Sequence, residues 1–330
     1  MTRSRKLWLA AGLGVVALGI AAWAAAPAYY SHRAEQQLRS YLDAHGNPAQ
    51  IKWASLRAAP WQPTVLTGVT LGWADRVAIS IARVEVHDLL DQAEHHRGDV
   101  SLHDVRIMDD DVPPPGDPLV AALLPVLTVN TALPPAEIRG KWDYLPKDDK
   151  ASLGLVVDQP TGFRLSLDLD LSQVNDAAAV FRGDTLRKST AEGYGLTPDP
   201  MLMMPLAQVK VHAVDARFQD QGMVGNLVKL YKRMNFTVLP DGTDPGQQRS
   251  ALLEQLNQKR VQRCQKSPEM EAFADAAGAC HALGEFIAGK APALALSAKS
   301  AAGVTPMSIY ETGLKQPTRA LVPLAPVLTN

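Results

Sequence analysis

From Arg164 to Leu171 the chain alternates without a break, with Leu165, Leu167, Leu169 and Leu171 on one parity and Arg164, Ser166, Asp168 and Asp170 on the other. Successive side chains of an extended strand point to opposite faces, so this run predicts a strand with one oily and one wet face. An oily face needs cover, and that draws neighbouring segments into the same sheet. Leu153, Leu155 and Val157 share a parity just before it, Gln159-Pro160-Thr161-Gly162 supplies the turn between the two runs, and Ile138, Lys141, Trp142 and Tyr144 form a further segment upstream. Val65 to Leu71, Val77 to Val86 and Val100 to Ile107 read as three earlier antiparallel strands. In the second of these, Val77, Ile79 and Ile81 take one parity while Val84 and Val86 take the other, which predicts a bulge near Ala82 and Arg83.

The remainder is mixed. Three consecutive acids, a fourth at Asp117 and four prolines between Asp109 and Pro118 break the pattern. Leu119 to Leu127 then predicts a short helix against the core or a lid, and residues 173 to 205 look irregular. Gln208 to Phe218 returns to strand spacing. Apolar residues three and four apart mark helices over Val224 to Met234, through Leu252, Leu253, Leu256 and Val261, and over Phe273 to Ile287, before the Leu294/Leu296 alternation brings back a short strand. The expected class is α+β, with mostly antiparallel sheet over 49–220 and a helical region with short returning strands over 221–330.

Ahead of this body, residues 7–26 form an uncharged apolar run that spans about 30 Å as a helix, the thickness of a bilayer core. Arg3, Arg5 and Lys6 make residues 1–6 a basic tail that belongs on the cytoplasmic side, and Trp8, Trp23, Tyr29 and Tyr30 suit the two interfaces. The expectation is a single transmembrane anchor followed by a juxtamembrane stalk helix over 27–48, with Ala34, Leu38, Tyr41 and Leu42 on one face. A cleaved secretory signal is the alternative, and both readings export the rest of the chain.

With 33 basic and 34 acidic residues, the formal net charge of -1 creates no field that would draw in nucleic acid. Cys264 and Cys280 are the only two cysteines. In an oxidising compartment they predict one disulfide between neighbouring helices, against the alternative of two buried free thiols; closing a loop of about 15 residues stabilises by roughly 3 kcal/mol in the chain-entropy view. Motifs of catalysis are missing: the chain has no G-x-S-x-G elbow, no S-x-x-K, no phosphate loop and no dinucleotide fingerprint. His95, His96, His103 and Asp104, with Asp109, Asp110 and Asp111 further on, form the one local histidine-acid grouping, but adjacent histidines project apart and three acids before prolines suit a solvated turn. The expectation is therefore no catalytic residue, no cofactor and no metal.

Several segments in order resemble a known group. They are AYYSHRAEQQLRSYLDAHG leading into IKWASL, the strands VTLGW and ISIARVEVHDL, the pair GKWDYLP and FRLSLDLDLSQVN, and the late ALGEFIAGKAPALALSAKSAAGVTPMSIYE. Together they resemble AsmA-like proteins of the Gram-negative envelope, and most closely a small family of anchored alphaproteobacterial periplasmic proteins. The resemblance implies a sheet curved into an apolar groove and a role in envelope lipid handling, and it implies no catalytic residue. Candidate groove residues are Val77, Ile79, Ile81, Leu153, Leu155, Val157, Leu165, Leu167, Leu169 and Leu171. The competing reading makes that face an ordinary core covered by the late helices. Lipid and the membrane are the expected partners, with an accessory role in an envelope protein complex as the alternative. The expected location is the periplasmic side of the inner membrane.

Overall fold

A computed structural model describes residues 28–40, 42–43, 51–59, 61–73, 76–107, 134–182, 200–237, 244–315 and 321–330. The apolar stretch 7–26, the break at Asp109–Pro118 and the Leu119–Leu127 segment lie outside the described residues. So do most of the residues expected to be irregular before Pro200.

Among the described residues ten strands form one sheet, and each hydrogen-bonds to its neighbours in sequence order. They are β1 (Ser55–Ala59), β2 (Gln62–Trp73), β3 (Arg76–Gln92), β4 (His95–Ile107), β5 (Ala136–Leu145), β6 (Lys150–Gln159), β7 (Phe163–Ser172), β8 (Lys210–Asp220), β9 (Ala293–Val304) and β10 (Val327–Thr329). All nine pairings are antiparallel. This corrects the expected α+β class. The strands do not give way to a separate helical part after residue 220, because β9 and β10 extend the same sheet and the late helices are excursions from it. The returning segment at Leu294 and Leu296 is a full strand of 12 residues. The membrane-spanning part of the expected class is also not found: among the described residues no helix is long and apolar enough to cross a membrane.

Local chemistry explains the turns and helix starts. The β6–β7 hairpin closes with Gly162 N donating to Gln159 O at 2.9 Å, and Thr161 takes φ 64° to do it, as the Gln-Pro-Thr-Gly sequence anticipates. Helix α1 covers 28–40, and α2 (Asn175–Arg182) and α3 (Pro200–Gln208) fall between β7 and β8. Asp220 at the end of β8 then starts α4 (Met223–Asn235), its carboxylate accepting from Val224 N at 2.8 Å and from Gly222 N at 3.1 Å. Asp244, followed by Pro245 at the first helical position, caps α5 (Pro245–Gln265) by accepting from Gln247 N. Asp275 caps α6 (Ala276–Ile287) in the same way through Gly278 N, and α7 (Pro306–Lys315) follows β9.

The bond between Cys264 and Cys280 forms, joining the last turn of α5 to α6 across a 3-10 turn at Pro268–Ala272, with 5.8 Å between the Cα atoms. Cys280 is 1% exposed, so the link lies inside the helix pair.

The parity switch in β3 has a physical origin in its neighbours. At that point two residues of β4, His103 and Asp104, oppose the single Glu137 of β5, and Asp104 and Gly68 both adopt positive φ, at 57° and 60°. Val84 pairs through Leu102 to Ile138, while Ile81 pairs through Val105 to Ala136, two residues from Ile138 on the same strand. Both therefore reach the same face, with Ala82 and Arg83 exposed between them. Neither ladder of β3 gains or loses a residue at Ala82; its register shifts lie at Leu71/Gly72 and at Val86/Asp88.

Candidate apolar belt

Across β4 to β9 the pairing aligns apolar residues in rows that run perpendicular to the strands. One row is Leu102, Ile138, Val157, Leu165, Phe218 and Leu294; the next is Val100, Gly140, Leu155, Leu167, Ala216 and Leu296; a third is Gly98, Trp142, Leu153, Leu169, Val214 and Ala298. Residues directly opposed in an antiparallel ladder share a face, so these rows make one continuous apolar surface.

The two ends of that surface are covered. Leu171, Tyr144 and Ala151 pack with Val174, Ala177, Leu206 and Val209, which brings α2 and α3 over one end. At the other, Phe218 stacks on Phe163 at 5.3 Å and meets Phe286 of α6 edge-on at 5.6 Å. Val214 packs with Ala298, Val304, Ile309 and Leu324 on the β8–β10 side. The middle is open. Leu153 is 40% and Leu155 36% exposed, and a hollow of about 340 Å³ lies over Gly140, Trp142, Leu153, Leu155, Leu167 and Leu169. An unpaired apolar floor of this kind holds a ligand through excluded water, at about 25 cal/mol per Å² of apolar surface covered.

Of the ten candidate groove residues, the structure brings Leu153, Leu155, Leu167 and Leu169 together in the hollow. Val157 and Leu165 stand in the row beside it, and Leu171 belongs to the covered end. Ile79 and Ile81 lie further off, near the start of the sheet, where Ile81 is 5% exposed against Val69 on the paired strand. Val77 pairs with Gly72, and its side chain is outside the described residues. Sequence reasoning placed Trp142 in a strand but missed its part in the belt; the signal was the shared parity of Ile138, Gly140, Trp142 and Tyr144.

The opposite face is charged and internally paired. Arg139 donates to both oxygens of Asp99, at 2.9 and 2.6 Å, with Lys141 3.5 Å away. The hydrogen bond from the Arg139 guanidinium holds the Asp99 carboxyl below its ordinary value against the opposing effect of burial, and Lys141 adds to the lowering. Arg164 faces Asp158, and His95 faces Asp143 at 3.0 Å. The histidines grouped in the sequence find separate partners: His103 pairs with Glu137 at 2.5 Å on this charged face, while His96, on the belt face and stacked on Tyr144, pairs with Asp91. Asp104 instead accepts from Arg106, and Asp109 to Asp111 lie outside the described residues. Among the described residues no group of three such side chains could hold a metal ion.

No protein-family model matches the chain, and no curated protein matches it either.

Proposed function

We propose that this chain is a non-enzymatic lipid-binding protein of the cell envelope whose apolar belt receives an acyl chain. The observation that carries this reading is the uncovered middle of the sheet face, with Leu153 and Leu155 exposed between two covered ends. Among the described residues that line the hollow, Lys141 is charged but no carboxylate, histidine or hydroxyl is present, and a polymethylene chain is complementary to the apolar remainder. The Cys264–Cys280 bond supports an oxidising compartment, and the basic start followed by the apolar stretch 7–26 supports export. We place the body on the periplasmic side of the inner membrane, in keeping with the resemblance to AsmA-like envelope proteins.

Native mass spectrometry of the purified full chain tests the reading, paired with titration of a fluorescent fatty acid. The expected result is co-purified lipid and saturable probe binding that Leu155→Asp weakens at least tenfold. A chain that is empty of lipid, with probe binding indifferent to Leu155→Asp, would overturn it. Crosslinking in membranes that captured one stoichiometric protein across Leu153 and Leu155 would favour an accessory subunit instead.

A further inference from the structure

We propose that the β1 end of the sheet carries a second site, for the phosphate-bearing headgroup of an anionic phospholipid, built on Arg57 and Arg83. A hollow of about 780 Å³ opens there, lined by α1 and strands β1 to β3. Ser55 opposes Thr67 across β1 and β2, Thr67 opposes Arg83 across β2 and β3, and Arg57 lies two residues from Ser55 on the same strand. The pairing therefore collects two guanidinium groups and two hydroxyls in one concavity. No carboxylate lines it among the described residues. Glu85 stands in the same cross-strand row as Arg57, one strand beyond Val65, and there it pairs with Arg83 and faces His87 at 3.4 Å and His103 at 3.8 Å. A planar guanidinium offers phosphate two parallel N–H donors, and neighbouring hydroxyls complete the oxygen shell.

The site is held open by α1. Ser31 Oγ accepts from Ala58 N at 2.8 Å and donates to Ala58 O, which fixes the helix to the outer edge of β1. Three features assign the phosphate to a lipid rather than to free anion. Tyr29, Tyr30 and Trp61, chain neighbours of the lining residues Ala28, Ser31 and Gln62, are 62%, 41% and 46% exposed. Such rings favour the bilayer interface. The apolar stretch 7–26 also ends two residues before Ala28 in the chain, and Ala28 lines the hollow. Basic side chains near an anionic leaflet would lie within its surface potential.

Isothermal titration of the full chain in a neutral detergent decides the matter, with dihexanoyl phosphatidylglycerol, dihexanoyl phosphatidylcholine and inorganic phosphate as probes. The phosphatidylglycerol is expected to bind at least tenfold more tightly than either of the others. The double variant Arg57→Gln/Arg83→Gln should lose that preference with its thermal midpoint retained, and Arg57→Lys should keep part of it. Equal affinity of the double variant and the parent overturns the site, and equal binding of inorganic phosphate overturns the assignment to lipid. Leu155→Asp separates this site from the belt: unchanged phosphatidylglycerol affinity supports two sites, and loss with Leu155→Asp but not with the arginine changes would return the lipid to the belt and overturn the proposal.

Discussion

Trp142 lays its indole across Gly98, its direct partner on the adjacent strand, and a Cβ at position 98 would collide with Cζ2 and Cη2 of the ring. The glycine is what lets the largest side chain of the belt lie flat at one wall of the hollow. Gly98→Val should push the indole out of its place and cost about 1–3 kcal/mol as an overpacked site does. Urea unfolding checks the loss, and pairing the change with Trp142→Leu should recover most of it. A double variant as unstable as Gly98→Val alone would show that the ring is not the obstacle.

Leucines of one strand parity should behave unequally. Leu171, packed with Val174, Ala177 and Val209, should cost about 2–4 kcal/mol on truncation to Ala, because the change leaves a gap among these buried neighbours. Leu155→Ala should cost below about 1 kcal/mol, since the side chain is already 36% exposed. Denaturation midpoints of the two variants make the comparison, and equal losses would mean that the belt is covered.

The helix pair should depend on its covalent link. Cys264 and Cys280 lie 16 positions apart, and replacing both by Ala should lower stability by about 2–4 kcal/mol. Unfolding curves of the parent with and without reductant should reproduce that difference. Insensitivity to reductant would show that the link constrains little.

Acid should weaken the charged face through Asp99. Its carboxyl has a folded value below the ordinary 3.8, owing first to the hydrogen bond from Arg139. The stabilisation is therefore complete above the ordinary value and is lost as pH falls through the lowered one. Asp99→Asn should flatten the pH dependence of stability in that acidic window and leave its shape near neutrality unchanged. Thermal midpoints of parent and variant from pH 6 to pH 2 provide the measurement.

The part of the fold that was legible in the sequence is the part governed by local periodicity. Leu165 to Leu171 and Leu153 to Val157 became paired strands whose apolar residues are direct partners, Leu153 with Leu169, Leu155 with Leu167 and Val157 with Leu165. The parity change between Ile81 and Val84 was also readable, because a bulge is the one way for both to face inward. Its location on β4, at His103 and Asp104, was not, since the compensating residues lie on a different strand. The unity of the sheet was hidden for a similar reason: β8 and β9 are 73 positions apart between their facing ends, Asp220 and Ala293, and nothing local announces that they pair. Which leucines stay open depends on where α2, α3 and α6 land. That is a tertiary fact, and Leu155 and Leu171 look identical in the chain. The charged hollow beside Arg57 and Arg83 is less legible still, since its parts come from α1 and three different strands.

Strand order that follows chain order gives the sheet an unusual freedom of scale. Because every strand pairs only with the segments before and after it, one hairpin inserted or removed would change the apolar surface by two strand spacings, about 9.6 Å, while every remaining pair kept its partner. The surface is in effect a ruler graduated in hairpins, so its reach can be reset in whole units without rethreading the chain.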